Sequence, residues 1–94
     1  MNALVLRLYV AGDAPNSAAA LLNLRAVLAE LPAGAAKVEV IDVLKDPARG
    51  QKDGVLVTPT LVKGAPRPER RIVGDLRDRS LLARVLGLEA GRRE

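Results

Sequence analysis

The chain contains no cysteine, histidine, phenylalanine or tryptophan, and Tyr9 is its single aromatic residue. Without cysteine there is no disulfide, no thiol redox chemistry and no thiolate metal site. Without histidine there is no imidazole base and no common zinc or iron ligand. No metal or cofactor site is therefore expected. A core without Phe or Trp must be aliphatic, and it forgoes the large burial that aromatic rings bring. No apolar run approaches the length of a membrane span. The apolar start Leu4 to Val10 is broken by Arg7 and lacks the basic leader and cleavage site of a signal peptide. A cytoplasmic protein with no membrane partner is the expectation.

What is present is one domain's worth of chain, 94 residues, with a modest core. Its charge is uneven. Residues 1–47 carry four basic and five acidic groups, whereas residues 48–94 carry eleven and six, so all of the net +4 lies in the second half. Between Lys63 and Arg84 seven basic residues face three acidic ones. A solvated arginine-rich face accounts for this without a function, and a surface for an acidic protein partner accounts for it with one. Nucleic acid is not expected as a partner, because aromatic stacking platforms and any known binding motif are missing.

Leu4 to Val10 is a nearly continuous apolar run, as in a strand buried on both faces. Residues 12–17 form a turn with helix-start signals, including Pro15 and the capping side chains Asn16 and Ser17. Leu21, Leu24, Leu28 and Leu31 then recur at spacings of three, four and three, one face of an amphipathic helix that Pro32 and Gly34 end. Lys37 to Leu44 reads as a second strand, with Asp42 a satisfied carboxylate near its end. Strand, helix and strand fit a right-handed βαβ unit with parallel strands. Tyr9 belongs in or near the core.

The second half is less consistent. Ala48 to Asp53 can form a short helix capped by Asp46, but Gly50 and Gly54 each cost about 1 kcal/mol against Ala in a helix. Val55 to Lys63 has strand composition with Pro59 in its middle, where a ladder donor is lost. A cis Thr58-Pro59 bond just ahead of a strand starting at Thr60 resolves that conflict. A turn over residues 64–68, a shorter strand Arg70 to Val73, and a last helix striped by Leu81, Leu82, Val85 and Leu86 follow, with Gly87 ending it. Residues 1–88 make the domain and residues 89–94 a polar tail. The order is an α/β, thioredoxin-like β-α-β-(α)-β-β-α. With three prolines within ten residues (Pro59, Pro66, Pro68) and a glycine at each border, the second half has the character of a segment with a small energy gap to another packing; an ordinary loop-rich half-domain is the plainer reading.

Four blocks resemble the KaiB family of bacterial clock proteins. They are residues 8–12 with Pro15-Asn16-Ser17, residues 40–45 with Pro47, Thr58-Pro59-Thr60-Leu61, and Arg70-Arg71-Ile72-Val73-Gly74-Asp75-Leu76. The resemblance implies a non-catalytic module that binds the N-terminal ATPase ring of the KaiC hexamer. It also implies a metamorphic fold: a ground form, often tetrameric, with the order β-α-β-β-α-α-β, and a rarer monomeric thioredoxin-like form that KaiC captures. This chain has Pro66-Arg67-Pro68 where a familiar cyanobacterial pattern has three prolines, and it lacks the acidic C-terminal extension. Those departures point away from a KaiA partnership and towards a KaiC-only system outside the cyanobacteria, as a monomer, dimer or tetramer.

For partner binding the expected contacts are Lys45, Lys52, Lys63, Arg70 and Arg71, with arginine suited to bidentate carboxylate pairs. For a change of fold the expected positions are Pro59, Pro66, Pro68, Gly74, Asp75 and Gly87. The competing readings are a thioredoxin-like adaptor or stress-response module without KaiC, a basic nucleic-acid-binding domain, and a thiol-transfer or peroxidase-type enzyme. The last has only Ser17 near the place where such enzymes carry Cys or Ser, with no base nearby in sequence to activate it.

Overall fold

The computed structural model describes residues 3–88. Four strands form one sheet in the order β2-β1-β3-β4: β1 Leu4–Val10, β2 Ala36–Asp42, β3 Thr60–Ala65 and β4 Arg70–Val73. β1 and β2 run parallel, joined by α1 (Pro15–Leu28), and the remaining neighbours pair antiparallel. α2 (Pro47–Lys52) lies between β2 and β3, and α3 (Arg79–Val85) closes the domain. The C-terminal half thus adopts the thioredoxin-like order. Among the described residues no helix is long and apolar enough to cross a membrane.

Strand alternation assigns the two faces of the sheet. Leu4, Leu6, Leu8 and Val10 join Leu61 on one face and pack with Ala20 and Leu24 of α1 and Leu82 of α3. Tyr9, Ile41 and Val62 form a smaller cluster on the other, under Val43 and Val55. That second cover is short, so the expectation that β1 is buried on both faces holds only at its Tyr9 end; Val5 is exposed and Arg7 half-buried.

Several local boundaries differ from the sequence reading. α1 starts with Pro15 in its first turn but has no side-chain cap; Ser17 Oγ instead accepts the Ala11 N–H at 3.1 Å, tying the helix to the end of β1. α1 stops at Leu28, and Leu31 reaches the core from the turn beyond it. β2 ends at Asp42, whose Oδ1 accepts the Gly12 and Leu44 N–H groups at 3.0 and 2.9 Å. These two bonds hold the Asp42 pKa below its ordinary value. β3 begins at Thr60 behind a cis Thr58-Pro59 bond, and Gly64 and Ala65 extend the strand rather than open the turn. Gly87 follows α3 at φ +78° and donates to the Arg84 carbonyl at 3.0 Å, while the 89–94 tail falls outside the described residues.

Candidate partner-binding surface around helix α2

α2 is short, and two local features set it. Pro47 occupies its first turn, and Asp46 caps it by accepting the Arg49 N–H at 3.3 Å. Gly50, a cost on propensity alone, is buried against Val43 just beyond β2: a Cβ there would stand 3.2 Å from Val43 Cγ1. Glycine lets this helix lie directly on Val43. The helix separates two different surfaces.

The first is polar. An open cavity of about 310 Å³ is lined by Arg7, Tyr9, Arg49, Lys52 and Asp53. Strand register builds its floor. Glu39 lies opposite Arg7, Arg7 opposite Val62, and Val62 opposite Arg71, so one row crosses all four strands on the α2 side. Asp53, just past α2, gathers this row. Its Oδ2 accepts Arg7 Nε at 2.8 Å and the Tyr9 hydroxyl at 2.7 Å, and its Oδ1 accepts Arg71 Nη2 at 3.1 Å. Burial pushes the Asp53 carboxyl up, but the bonds from Arg7 and Tyr9 and the charges of Arg7 and Arg71 outweigh it, so its pKa lies below the ordinary value. Burial, reinforced by the same carboxylate, raises that of Tyr9. Beside this node Arg49 grips Glu39 through two parallel 2.9 Å bonds, and the Glu39 carboxyl is held low by them.

The second surface is apolar. An open cavity of about 360 Å³ lies between α2 and the segment entering β3, lined by Leu44, Pro47, Val55, Leu56, Val57 and Thr58 among others. Leu44 is 71% exposed, Leu56 94% and Val57 52%. Three aliphatic side chains at one rim stand out on a domain of this size. The segment behind them is fixed: Thr60 Oγ1 donates to the Val57 carbonyl at 2.7 Å, and Gly74 N–H donates to the Pro59 carbonyl at 2.9 Å.

The expected basic contacts divide accordingly. Lys52 lines the polar cavity, and Arg71 is bound into its node and to Glu69 at 3.1 Å. Lys45 is exposed and adjoins Leu44 of the apolar rim. Arg70 is exposed on the opposite face of β4, cross-strand from Lys63. Lys63 is only 7% exposed, placed by alternation on the α1/α3 side beside Leu6, so it does not belong to the surface around α2. Of the border positions, Pro59 is buried just ahead of β3, Pro66 and Pro68 are exposed after cis bonds in the β3–β4 connection, and Gly74 and Asp75 lead into α3. Arg7, Arg49, Glu39 and Asp53 escaped the sequence reading. Arg7 carried the available signal, a charge inside a central apolar strand.

The arrangement offers charge, hydrogen-bond donors and apolar surface. Ser17, 2% exposed, already has its oxygen on the Ala11 amide. Among the described residues no group of three acidic, Cys or His side chains could hold a metal ion.

The KaiB domain family matches residues 7–88. The Circadian clock oscillator protein KaiB of Microcystis aeruginosa is 48% identical over 85 residues, covering 90% of this chain and 80% of that protein. The protein of the same name from a Synechococcus species is 47% identical over 85 residues, covering 90% and 81%. Among solved structures, the N-terminal domain of Synechococcus elongatus SasA superposes with a TM-score of 0.74 at 28% identity, covering 99% of this chain and 91% of that one. Chloroplastic thioredoxin z gives 0.74 at 26% identity over 95% and 80%. The fold is thioredoxin-like, the family match spans all four sequence blocks, and the chain belongs to the KaiB family.

Proposed function

We propose that this is a non-catalytic timing protein that binds the N-terminal ATPase ring of KaiC and modulates its phosphorylation cycle, with the thioredoxin-like arrangement as the binding-competent form. The carrying observation is the rim of Leu44, Leu56 and Val57 on a thioredoxin-like fold that has no thiol and no imidazole. An exposed aliphatic trio beside Lys45, with Lys52 across α2 in the polar cavity, suits a partner segment with aliphatic anchors and acidic flanks. Burying Leu56 alone is worth about 2 kcal/mol. Identity near 48% to circadian clock oscillator proteins supports the choice of partner. A partner that takes only one of two arrangements binds with an affinity reduced by the fraction of molecules in it.

Co-migration with KaiC in the presence of ATP tests the reading. A complex that forms over hours is expected, and its absence under those conditions overturns the reading. Measurable thiol-transfer or peroxidase turnover by the purified protein would overturn the non-catalytic assignment.

A further inference from the structure

The turn between β4 and α3 holds a left-handed residue that is not glycine. Gly74 has φ +113°, and Leu76 has φ +63°, the one positive value among the described non-glycine residues. An L-residue in that region brings Cβ close to a backbone oxygen and is disfavoured. Leu76 is nevertheless 5% exposed, with its side chain in the main core alongside Leu82 and Leu86. Within the turn, Asp75 Oδ1 accepts the Arg77 N–H at 3.1 Å, and Asp78 caps α3 by accepting the Leu81 N–H at 3.0 Å. One tie comes from the other half of the chain. Asn23, inside α1, donates Nδ2–H to the Asp75 carbonyl at 2.9 Å, while its Oδ1 accepts Arg79 Nε at 3.2 Å and Nη2 at 3.0 Å. Both ends of one amide are thus engaged with a segment more than 50 residues away. Asparagine is also a poor helix former at a mid-helix position.

We propose that Asn23, the Asp75 carbonyl and Arg79 form a latch that holds the C-terminal half in the thioredoxin-like arrangement, and that this latch sets the share of molecules able to capture the partner. The inference rests on the reading that this half has a second packing. Asn23 is a positioning residue: it lies on α1, away from the surface around α2. Opening the latch removes the tie of the Leu76 turn to α1 and moves the population towards the competing arrangement.

The test uses the full chain and its Asn23→Ala, Arg79→Ala and doubly substituted forms. The ratio of the two sets of amide NMR resonances is read together with the rate of capture by KaiC and ATP. Asn23→Ala lowers the share of the thioredoxin-like form about fivefold and slows capture in proportion. Arg79→Ala shifts the ratio the same way by a smaller factor, and adding it to Asn23→Ala changes little further, because the two act through one contact. Alanine strengthens α1, so a weakened helix cannot produce this shift. Two sets of resonances whose ratio stays within twofold in Asn23→Ala overturn the latch and leave the proposed function standing; should that variant fold poorly, an unchanged ratio in the exposed Arg79→Ala does the same. A single set in the unsubstituted protein, with capture in one fast phase, overturns the two-arrangement reading and the latch with it.

Discussion

Replacing Asp53 by Asn removes the charge on which three donors from two strands converge. Oδ2 takes Arg7 Nε at 2.8 Å and the Tyr9 hydroxyl at 2.7 Å, and Oδ1 takes Arg71 Nη2 at 3.1 Å. An amide has a single oxygen to offer and would turn N–H groups towards a guanidinium, donor against donor. Hydrogen bonds involving a charged group contribute about 1.5–3 kcal/mol each. The side chains of Arg7 and Asp53 are 24% and 17% exposed, so part of that survives screening. Arg71 is more exposed and keeps Glu69, so its share is small. We expect a loss of about 2 kcal/mol at neutral pH, which lowers the urea midpoint by about 1–2 M for a domain this small.

The same substitution carries a pH signature. The native Asp53 carboxyl titrates below its unfolded value, so over the intervening range the unfolded state binds more protons. Its contribution is complete above an unfolded pKa of about 3.9 and is lost as pH falls through the lower native value. The gap between the Asp53→Asn protein and its parent should be full at neutral pH and shrink in acid. Asp42 and Glu39, also held low, titrate in both proteins and cancel in the difference. Urea unfolding followed by far-UV circular dichroism at about pH 7 and about pH 3 reads both quantities. Equal midpoints at neutral pH, or a gap that is undiminished in acid, would refute the account of the node.

Leu56→Ser should weaken the complex with KaiC about tenfold while leaving the urea midpoint unmoved, since the side chain is 94% exposed; a shifted midpoint or an unchanged affinity goes against the proposed surface. The pair Lys45→Glu and Lys52→Glu should slow association more than it speeds dissociation, and added salt should reduce the difference from the parent in stopped-flow measurements. Leu76→Gly and Leu76→Ala both lose core contacts, but the glycine form should be the more stable by about 1 kcal/mol, the reverse of the usual order, because glycine tolerates φ +63°. Chemical unfolding that ranks alanine first would remove the strain from the argument.

The legible parts of this fold are those governed by local rules. The leucine spacing announced α1, and the conflict between Pro59 and a strand-forming neighbourhood located the start of β3 at Thr60. The boundaries that moved did so for tertiary reasons. Gly64 and Ala65 look like a turn in isolation, yet they extend β3, where Ala65 lies opposite Val5. The charge node was illegible because it is a product of register. Nothing near Arg7 in sequence indicates that it will meet Asp53, 46 positions away. Lys63 shows the same limit from the other side: its charge suggests the surface, while strand alternation places it against the α1/α3 layer.

The contacts that order the second half come mostly from the first. β3 is held by its ladder to β1, the end of α2 by Arg7 and Tyr9, and the turn into α3 by Asn23. Internally this half offers a six-residue helix containing a buried glycine, a four-stranded sheet's shortest strand at its edge, and a leucine in a disfavoured conformation. Isolated helices this short are unstable in water. Beside the burial of Leu61, Leu76, Leu82 and Leu86 in the main core, the arrangement of residues beyond Pro47 therefore rests on a small number of long-range bonds, of about 1 kcal/mol each where neutral and more where charged. Two such bonds amount to a tenfold or greater change in a population. On the proposed two-arrangement reading, a partner or a single substitution that acts on these bonds redirects this half while the α1-β1-β2 unit against which it packs keeps its own parallel pairing.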